Sequence, residues 1–483
     1  MEIRTPDWVK DAVFYQIFPD RFAKSQRVSK PDNLQAWDAP PTYHGFKGGD
    51  LYGVLEKLDY LVDLGVNAIY FNPIFASTAN HRYHTHDYFA VDPLLGGNGA
   101  FAELIEAAHA RKVRIVLDGV FNHASRGFLQ FNHLLEAGKE SPYVNWFHVH
   151  GWPLHAYHED MRPNYAAWWG LHALPKFNTD NEQVREFLWD VGVFWLKQGI
   201  DGWRLDVPGE IDDDSFWQEF RRRCRAENPE AYIVGEIWGD ATRWLQGDQF
   251  DAQMNYPFTR AVYGFFGADN LNQTDTVHTG LGYIEPCNGQ QFGHILDELH
   301  HSYAPEIVQA QMNMLGSHDT PRLLTVANND LSTVRLMFLC QMTIAGAPNI
   351  YYGDEIAMAG ARDPDCRRAF PWDDRRSWNS DLLDDVRHFV TLRRETPALR
   401  RGDFEILYSG EQSVAYRRCF KEQVAVVAFN ANHQAHALRL EDHLPGILEN
   451  ALNRGAEPLK PGVEFALEPR TGYVWVGRQD DSV

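Results

Sequence analysis

The 483-residue sequence holds only five cysteines: Cys224, Cys287, Cys340, Cys366 and Cys419. Their number is odd, they lie far apart, and none forms a Cys-x-x-Cys pair. This excludes a disulfide framework and a cysteine-based zinc site. Basic residues are also scarce, 45 against 66 acidic, for a net charge of -21. Nucleic acids and anionic membranes reward a basic face, so both are excluded as expected partners. No apolar run approaches the roughly 20 residues of a membrane span. Residues 1–10 lack the basic-then-apolar pattern of a secretory signal, which gives a cytoplasmic expectation. Low-complexity tracts, Ser/Gly linkers and 20–50-residue repeats are missing as well.

What is present is a large apolar fraction, 44% of residues, enough for a sizeable core. Up to about residue 398, short apolar runs alternate with segments of helical periodicity. The runs at 12–18, 68–71, 113–117, 202–205, 232–234, 250–255, 309–315 and 347–351 read as eight strands. Eight strand–helix repeats predict an α/β fold, a (β/α)8 TIM barrel. The barrel is expected over 1–122 and 176–398. Residues 123–175 break the rhythm and are rich in His, Trp, Tyr and Pro. A structureless loop of that length is uncommon, so they predict a subdomain inserted after strand three. Residues 399–483 change to short strands at 404–408, 414–418, 424–430, 436–440, 463–467 and 472–476. These predict a C-terminal antiparallel β-sandwich domain packed on the barrel.

Three carboxylates fall at the ends of predicted barrel strands: Asp206, Glu236 and Asp319. In a closed parallel barrel such positions converge at one mouth. Two carboxylates flanking one bond are what glycosidic cleavage requires. Arg204 lies two residues before Asp206, and strand alternation puts both side chains on one face. A guanidinium there would hold the carboxylate ionised and oriented.

The sequence resembles the α-amylase family, glycoside hydrolase family 13, over nearly its whole length. The motifs are Asp-Gly-Val-Phe-Asn-His (118–123), Gly-Trp-Arg-Leu-Asp-Val (202–207), Val-Gly-Glu-Ile-Trp (234–238) and Gly-Ser-His-Asp (316–319), with support from 65–73 and 346–355. The resemblance implies cleavage with retention of configuration. Asp206 would be the nucleophile, Glu236 the general acid and base, and Asp319 a clamp on sugar hydroxyls beside the reacting carbon. His123 and His318 would donate hydrogen bonds to the same sugar. Tyr83 matches the family tyrosine that stacks on that ring. Asp118, with Asn122, would support the site from strand three.

Leu-Pro-Lys-Phe-Asn (174–178), Glu210, Ala-Trp-Trp-Gly (167–170) and residues 250–258 resemble the cyclomaltodextrinase, neopullulanase and maltogenic amylase group. That implies small cyclic or linear maltooligosaccharides as substrates, with α-1,4 links and also α-1,6 links. Trp238 and Glu210 are placed on the leaving-group side. The alternatives are an α-glucosidase or transglycosylase of the same family and, more distantly, a non-catalytic sugar-binding member. Three features depart from the group. The sequence starts almost at strand one, without the N-terminal β domain that mediates the group's dimer, so the oligomeric state stays open. Val-Pro-Gly-Glu (207–210) replaces Val-Ala-Asn-Glu, and His84 stands where relatives have Asp.

No cofactor is expected. Relatives hold calcium with an acidic first loop and a Gly-Gly-Asp turn. Gly48-Gly49-Asp50 is here, but the loop at 24–30 brings Lys24, Arg27 and Lys30 instead of hard oxygen ligands. His81, His84 and His86 read as cleft wall, not a transition-metal site.

Overall fold

The computed structural model describes residues 3–158, 160–440, 444–453 and 455–479. The expected domain limits at residues 1 and 483 lie outside the described residues.

Eight parallel strands form the barrel: β1 (Phe14–Ile17), β2 (Ala68–Phe71), β3 (Arg114–Gly119), β4 (Gly202–Leu205), β5 (Tyr232–Gly235), β6 (Ala252–Gln253), β7 (Met312–Met314) and β8 (Ala347–Tyr351). Their order is β6-β5-β4-β3-β2-β1-β8-β7. One parallel bridge, Met254 to Met312, closes the ring between β6 and β7. Nearly every strand residue is buried, because helices cover the outside and side chains fill the inside. That is why these strands read as continuous apolar runs.

The seam is where the structure departs from the expectation. The predicted strand at 309–315 shrinks to Met312–Met314, and a helix, Pro305–Ala310, takes its start. Pro305 suits the first helical turn, where its missing N–H leaves no bond unmade. Side-chain amides replace ladder bonds here. Gln311 Oε1 accepts the Gln253 N–H at 2.9 Å, and the Asn255 amide donates to Asn313 Oδ1 at 2.8 Å. The expected 250–255 strand is likewise reduced to two residues.

Residues 123–177 are pinned by isolated bridges, His123 to Lys176, Phe147 to Phe177, Val149 to Tyr165 and Ala167 to Pro175. One α-helix among the described residues, Leu129–Ala137, lies among them with three short 3-10 turns. Phe131, Phe147 and Tyr165 pack edge-on as a small aromatic core, with Phe131–Phe147 and Phe131–Tyr165 centroids 4.9 Å apart.

Beyond the barrel come β9 (Glu405–Ser409), β10 (Ser413–Phe420), β11 (Gln423–Asn430), β12 (His436–Leu438), β13 (Glu449–Asn450), β14 (Phe465–Leu467) and β15 (Thr471–Arg478). They form an antiparallel sheet, β9-β10-β11-β15-β13, and a ribbon, β12-β14. The two faces of β11 separate by alternation. Ala425, Val427 and Phe429 join the barrel core, while Val424, Val426 and Ala428 pack under the ribbon with Trp475. Thus the sheet is buried on both sides. β13 was not visible in the sequence, being two residues long.

Candidate active site

The strand ends place the carboxylates. Asp206 lies one residue beyond β4 and its N–H still bonds the Gly119 carbonyl at 3.0 Å; Glu236 lies one beyond β5 and bonds the Leu205 carbonyl at 3.0 Å. Continuing the ladder by one residue fixes both backbones before any side chain acts.

Arg204 sits between them with no exposed surface. Its Nη1 lies 2.7 Å from Asp118 Oδ1 and 3.1 Å from Asp206 Oδ1, and its Nη2 lies 2.9 Å from Glu236 Oε2. Its Nε faces the Met254 sulfur at 3.2 Å. One guanidinium therefore bridges three carboxylates, a use of the planar fork that a point charge could not match.

Glu236 has two further donors. The Val207 N–H reaches Oε2 at 3.0 Å, and the Trp238 indole N–H reaches Oε1 at 3.1 Å. Val207 adopts φ 36° and ψ 52° in the left-handed region. A β-branched residue there is strained, and the strain turns its N–H toward the carboxylate. Trp238 itself stacks on Tyr256 at 3.5 Å and 8°. The structure thus gives Trp238 a direct hold on Glu236.

A second network surrounds Asp118. Its Oδ2 accepts from the Tyr70 hydroxyl at 2.8 Å and the Tyr83 hydroxyl at 2.7 Å. Tyr83 also meets His318 Nε2 at 2.7 Å, and Gln16 meets His318 Nδ1 at 3.1 Å. The Gln16 amide nitrogen can only donate, so His318 carries its proton on Nε2. That proton faces Tyr83 and Asp319 Oδ2, 3.1 Å away. Tyr83 and His318 stack on each other at 5.3 Å and 7°.

Asp319 is the most open of the three carboxylates, with its side chain 31% exposed against 9% for Asp206 and 6% for Glu236. Arg367 reaches it at 3.3 Å and also donates to the His318 carbonyl at 2.9 Å. Arg367 was missed in the sequence reading. The cation-rich stretch 362–368 beyond the strand-eight motif is its only sequence signal.

His123 is buried and stacks on Trp168 at 5.2 Å and 18°. Asn122 donates to its Nδ1 at 3.1 Å, which leaves Nε2 as the buried donor, turned toward the Tyr83 backbone with no well-formed hydrogen bond among the described residues. Glu210 lies at the rim, paired with Lys176 at 2.7 Å. The pair ties the inserted segment to the turn after β4, and two motifs that the sequence linked only by resemblance meet in space. Lys176 had no assigned role in the sequence reading.

Burial raises the pKa of Asp206 well above the usual carboxylate range, with the Glu236 charge adding to it; Glu236, Asp319 and Asp118 are raised too, each mainly by burial. Arg204 opposes the rise at Asp118, Asp206 and Glu236, and at Asp319 Arg367 opposes it first and Arg204 second. So many carboxyls around one guanidinium titrate together and retain a proton among them. Two hydrogen bonds and the Arg204 ion pair reach Glu236, while Arg204 alone reaches Asp206. Burial drives His123 down to about 3 and His318 well below its ordinary value, which keeps both neutral donors.

The residues do not fit a calcium ion at the Gly-Gly-Asp turn. Asp50 Oδ1 caps the Gly53 N–H at 2.7 Å, and Oδ2 takes the Ser25 N–H at 2.9 Å and the Lys30 ammonium at 3.1 Å. That ammonium also donates to the Leu94 carbonyl at 2.7 Å. The Lys47 ammonium takes the Ala36 and Ala39 carbonyls. Two lysine cations occupy the oxygens a hard divalent ion would need. His81 accepts the Tyr83 N–H on its Nδ1 at 3.1 Å, and among the described residues no group of three metal-binding side chains converges.

The sequence profile of the alpha-amylase catalytic domain matches residues 16–395. A cyclomaltodextrinase of Geobacillus thermopakistaniensis is 41% identical over 89% of this chain and 71% of its own length. Neopullulanase 2 of Thermoactinomyces vulgaris is 42% identical over 90% and 72%. An intracellular maltogenic amylase of Bacillus subtilis is 36% identical over 91% and 71%. Among solved structures, a Thermus thermophilus protein superposes with a TM-score of 0.92 at 48% identity, covering 98% of this chain and all of that one. The Nostoc punctiforme debranching enzyme gives 0.89 at 46%, with the same coverage. The cyclic α-maltosyl-(1→6)-maltose hydrolase of Arthrobacter globiformis, in complex with that cyclic sugar, gives 0.88 at 36%, again with that coverage. With its motifs brought to one barrel mouth and matched along most of its length, this chain belongs to the alpha-amylase family of glycoside hydrolases.

Proposed function

We propose that this chain hydrolyses α-glucosidic bonds of small cyclic or linear maltooligosaccharides by double displacement. The observation that carries the reading is the single buried guanidinium shared by Asp206 and Glu236. Sharing one cation suits the short carboxyl separation, about 5–5.5 Å, of retaining enzymes, where inverting enzymes need about 6.5–9.5 Å to admit a water. Asp206 attacks the anomeric carbon as Glu236 gives its proton to the leaving oxygen. Water, deprotonated by Glu236, then releases the glycosyl group and restores both carboxyls. Positive charge growing at the anomeric carbon favours ionised Asp206, and the glycosidic oxygen offers Glu236 an acceptor.

The neutral donors on His123 and His318 suit sugar hydroxyls. Asp319, open and held by Arg367, suits a hydroxyl clamp. The substrate class rests on the names of the relatives, a cyclomaltodextrinase, a neopullulanase and a cyclic α-maltosyl-(1→6)-maltose hydrolase, and on the Lys176–Glu210 pair that unites the group's two motifs. The reading needs no cofactor, and it places the enzyme in the cytoplasm on the likeness to an intracellular amylase. No described helix is long and apolar enough to cross a membrane.

Asp206→Asn and Glu236→Gln are each expected to lower kcat on a chromogenic maltoside by several orders of magnitude with an unchanged circular dichroism spectrum. Near-wild-type turnover in either variant sinks the mechanism. Faster hydrolysis of starch than of every cyclodextrin, pullulan and branched cyclic maltooligosaccharide sinks the substrate class but not the chemistry.

A further inference from the structure

The Trp238 side chain is gripped from two sides. Its indole stacks on Tyr256 at 3.5 Å and 8°. The backbone of Gly280 covers the other face. A methyl group built on Gly280 would stand 2.7, 2.7 and 2.8 Å from Cε3, Cζ3 and Cη2 of the indole. Near-equal distances to three adjacent ring atoms put that methyl over the ring and not at its edge. Tyr256 already fills the opposite side. Gly280 does not have a positive φ, so its bare Cα is a matter of space and not of backbone conformation.

Arg260 ties the two backbones together from the helix Tyr256–Phe266. Its Nη1 donates to the Trp238 carbonyl at 2.8 Å, its Nη2 to the Gly280 carbonyl at 2.9 Å and its Nε to the Leu281 carbonyl at 3.2 Å. One planar fork thus spans two loops. The Gly280 loop is anchored in turn. Leu281 and Ile284 are buried, and the Gln273 side chain accepts the Ile284 N–H at 3.1 Å and donates to its carbonyl at 2.6 Å. With both faces of the indole covered, its N–H edge is what Trp238 offers the site, and that N–H reaches Glu236 Oε1 at 3.1 Å.

We propose that Gly280 and Arg260 are positioning residues for the reaction: by gripping Trp238 they hold its N–H on Glu236, so the proton carrier is tuned by a loop that forms no hydrogen bond with it. The inference rests on the reading of Glu236 as the acid and base of a hydrolase. Burial raises the Glu236 pKa, and the Trp238 bond is among the contacts that lower it. A fixed donor keeps that opposition constant, and a displaced one removes it. The charged and titratable groups facing Glu236 are Arg204, Asp206, Asp319, Tyr70 and Tyr256. The hydrogen bonds of Arg260 go to backbone carbonyls and to none of these groups, so its hold on Glu236 passes through Trp238.

The test is kcat/KM across pH on a chromogenic maltoside, with circular dichroism confirming the fold. Gly280→Ala pushes the indole off its seat, and the basic limb is expected to move up by as much as about one pH unit while the acidic limb stays. Arg260→Lys keeps the charge but cannot meet three carbonyls, and it is expected to move the same limb in the same direction. Should Gly280→Ala lose its fold, Arg260→Lys carries the test alone. In a Trp238→Phe background the N–H is already gone, so neither substitution is expected to move the basic limb further. An unmoved basic limb in both single variants, or a further move on top of Trp238→Phe, overturns the inference and leaves the hydrolase reading intact. Near-wild-type turnover by Glu236→Gln removes the hydrolase reading and this inference with it.

Discussion

Replacing Arg204 by lysine keeps the buried charge and removes the fork. The guanidinium spends Nη1 on Asp118 and Asp206 and Nη2 on Glu236, at 2.7, 3.1 and 2.9 Å. An ammonium on a shorter reach cannot meet carboxylates on three strands together. At least one charge-assisted contact is lost, worth about 1.5–3 kcal/mol. At about 1.4 kcal/mol per decade, that predicts a fall in kcat/KM of about 10- to 150-fold. The pH profile carries the sharper signature. Arg204 holds down the pKa values of both Asp206 and Glu236 against burial. Weakening it raises both, so the acidic limb, set by ionisation of Asp206, and the basic limb, set by loss of the Glu236 proton, move together to higher pH. The assay is kcat/KM across pH on a chromogenic maltoside, with circular dichroism confirming the fold. A folded Arg204→Lys enzyme with kcat/KM near wild type and unmoved limbs would refute the shared-guanidinium account.

Trp238→Phe keeps a ring over Tyr256 but deletes the N–H that reaches Glu236 Oε1. Losing a donor to the anion raises the Glu236 pKa, so the basic limb should move up in pH while the acidic limb stays; a downward move counts against that bond. With Lys30 and Lys47 taking the oxygens at the Gly-Gly-Asp turn, EDTA should leave Tm and turnover unchanged. A fall in either on EDTA treatment, reversed by calcium, contradicts the lysine substitution.

Much of the site is legible in the sequence because local patterns encode it. Asp206 and Glu236 each end a short apolar run, and an all-buried strand has to read that way. The two-residue alternation of Val424–Phe429 likewise announces a strand buried on two faces. The sequence does not show the barrel seam, since Gln311, Asn255 and Asn313 look like ordinary polar residues until their side-chain amides take the place of ladder bonds. Arg367 lies 48 positions from Asp319, and no spacing rule connects them. Trp238 was read as a leaving-group contact, and its bond to Glu236 depends on the backbone turn between them.

The sequence by itself determined the barrel, the order of its strands along the chain and the identity of the strand-end carboxylates, because periodicity and strand-end placement are properties of neighbours in the chain. Only the tertiary structure decided how those carboxylates share Arg204, why Val207 bends into a left-handed conformation to reach Glu236, that two lysines take the oxygens at the Gly-Gly-Asp turn, and that His123, Trp168 and Trp169 stack into one column. Those are distances through space between side chains on different elements, and packing sets them.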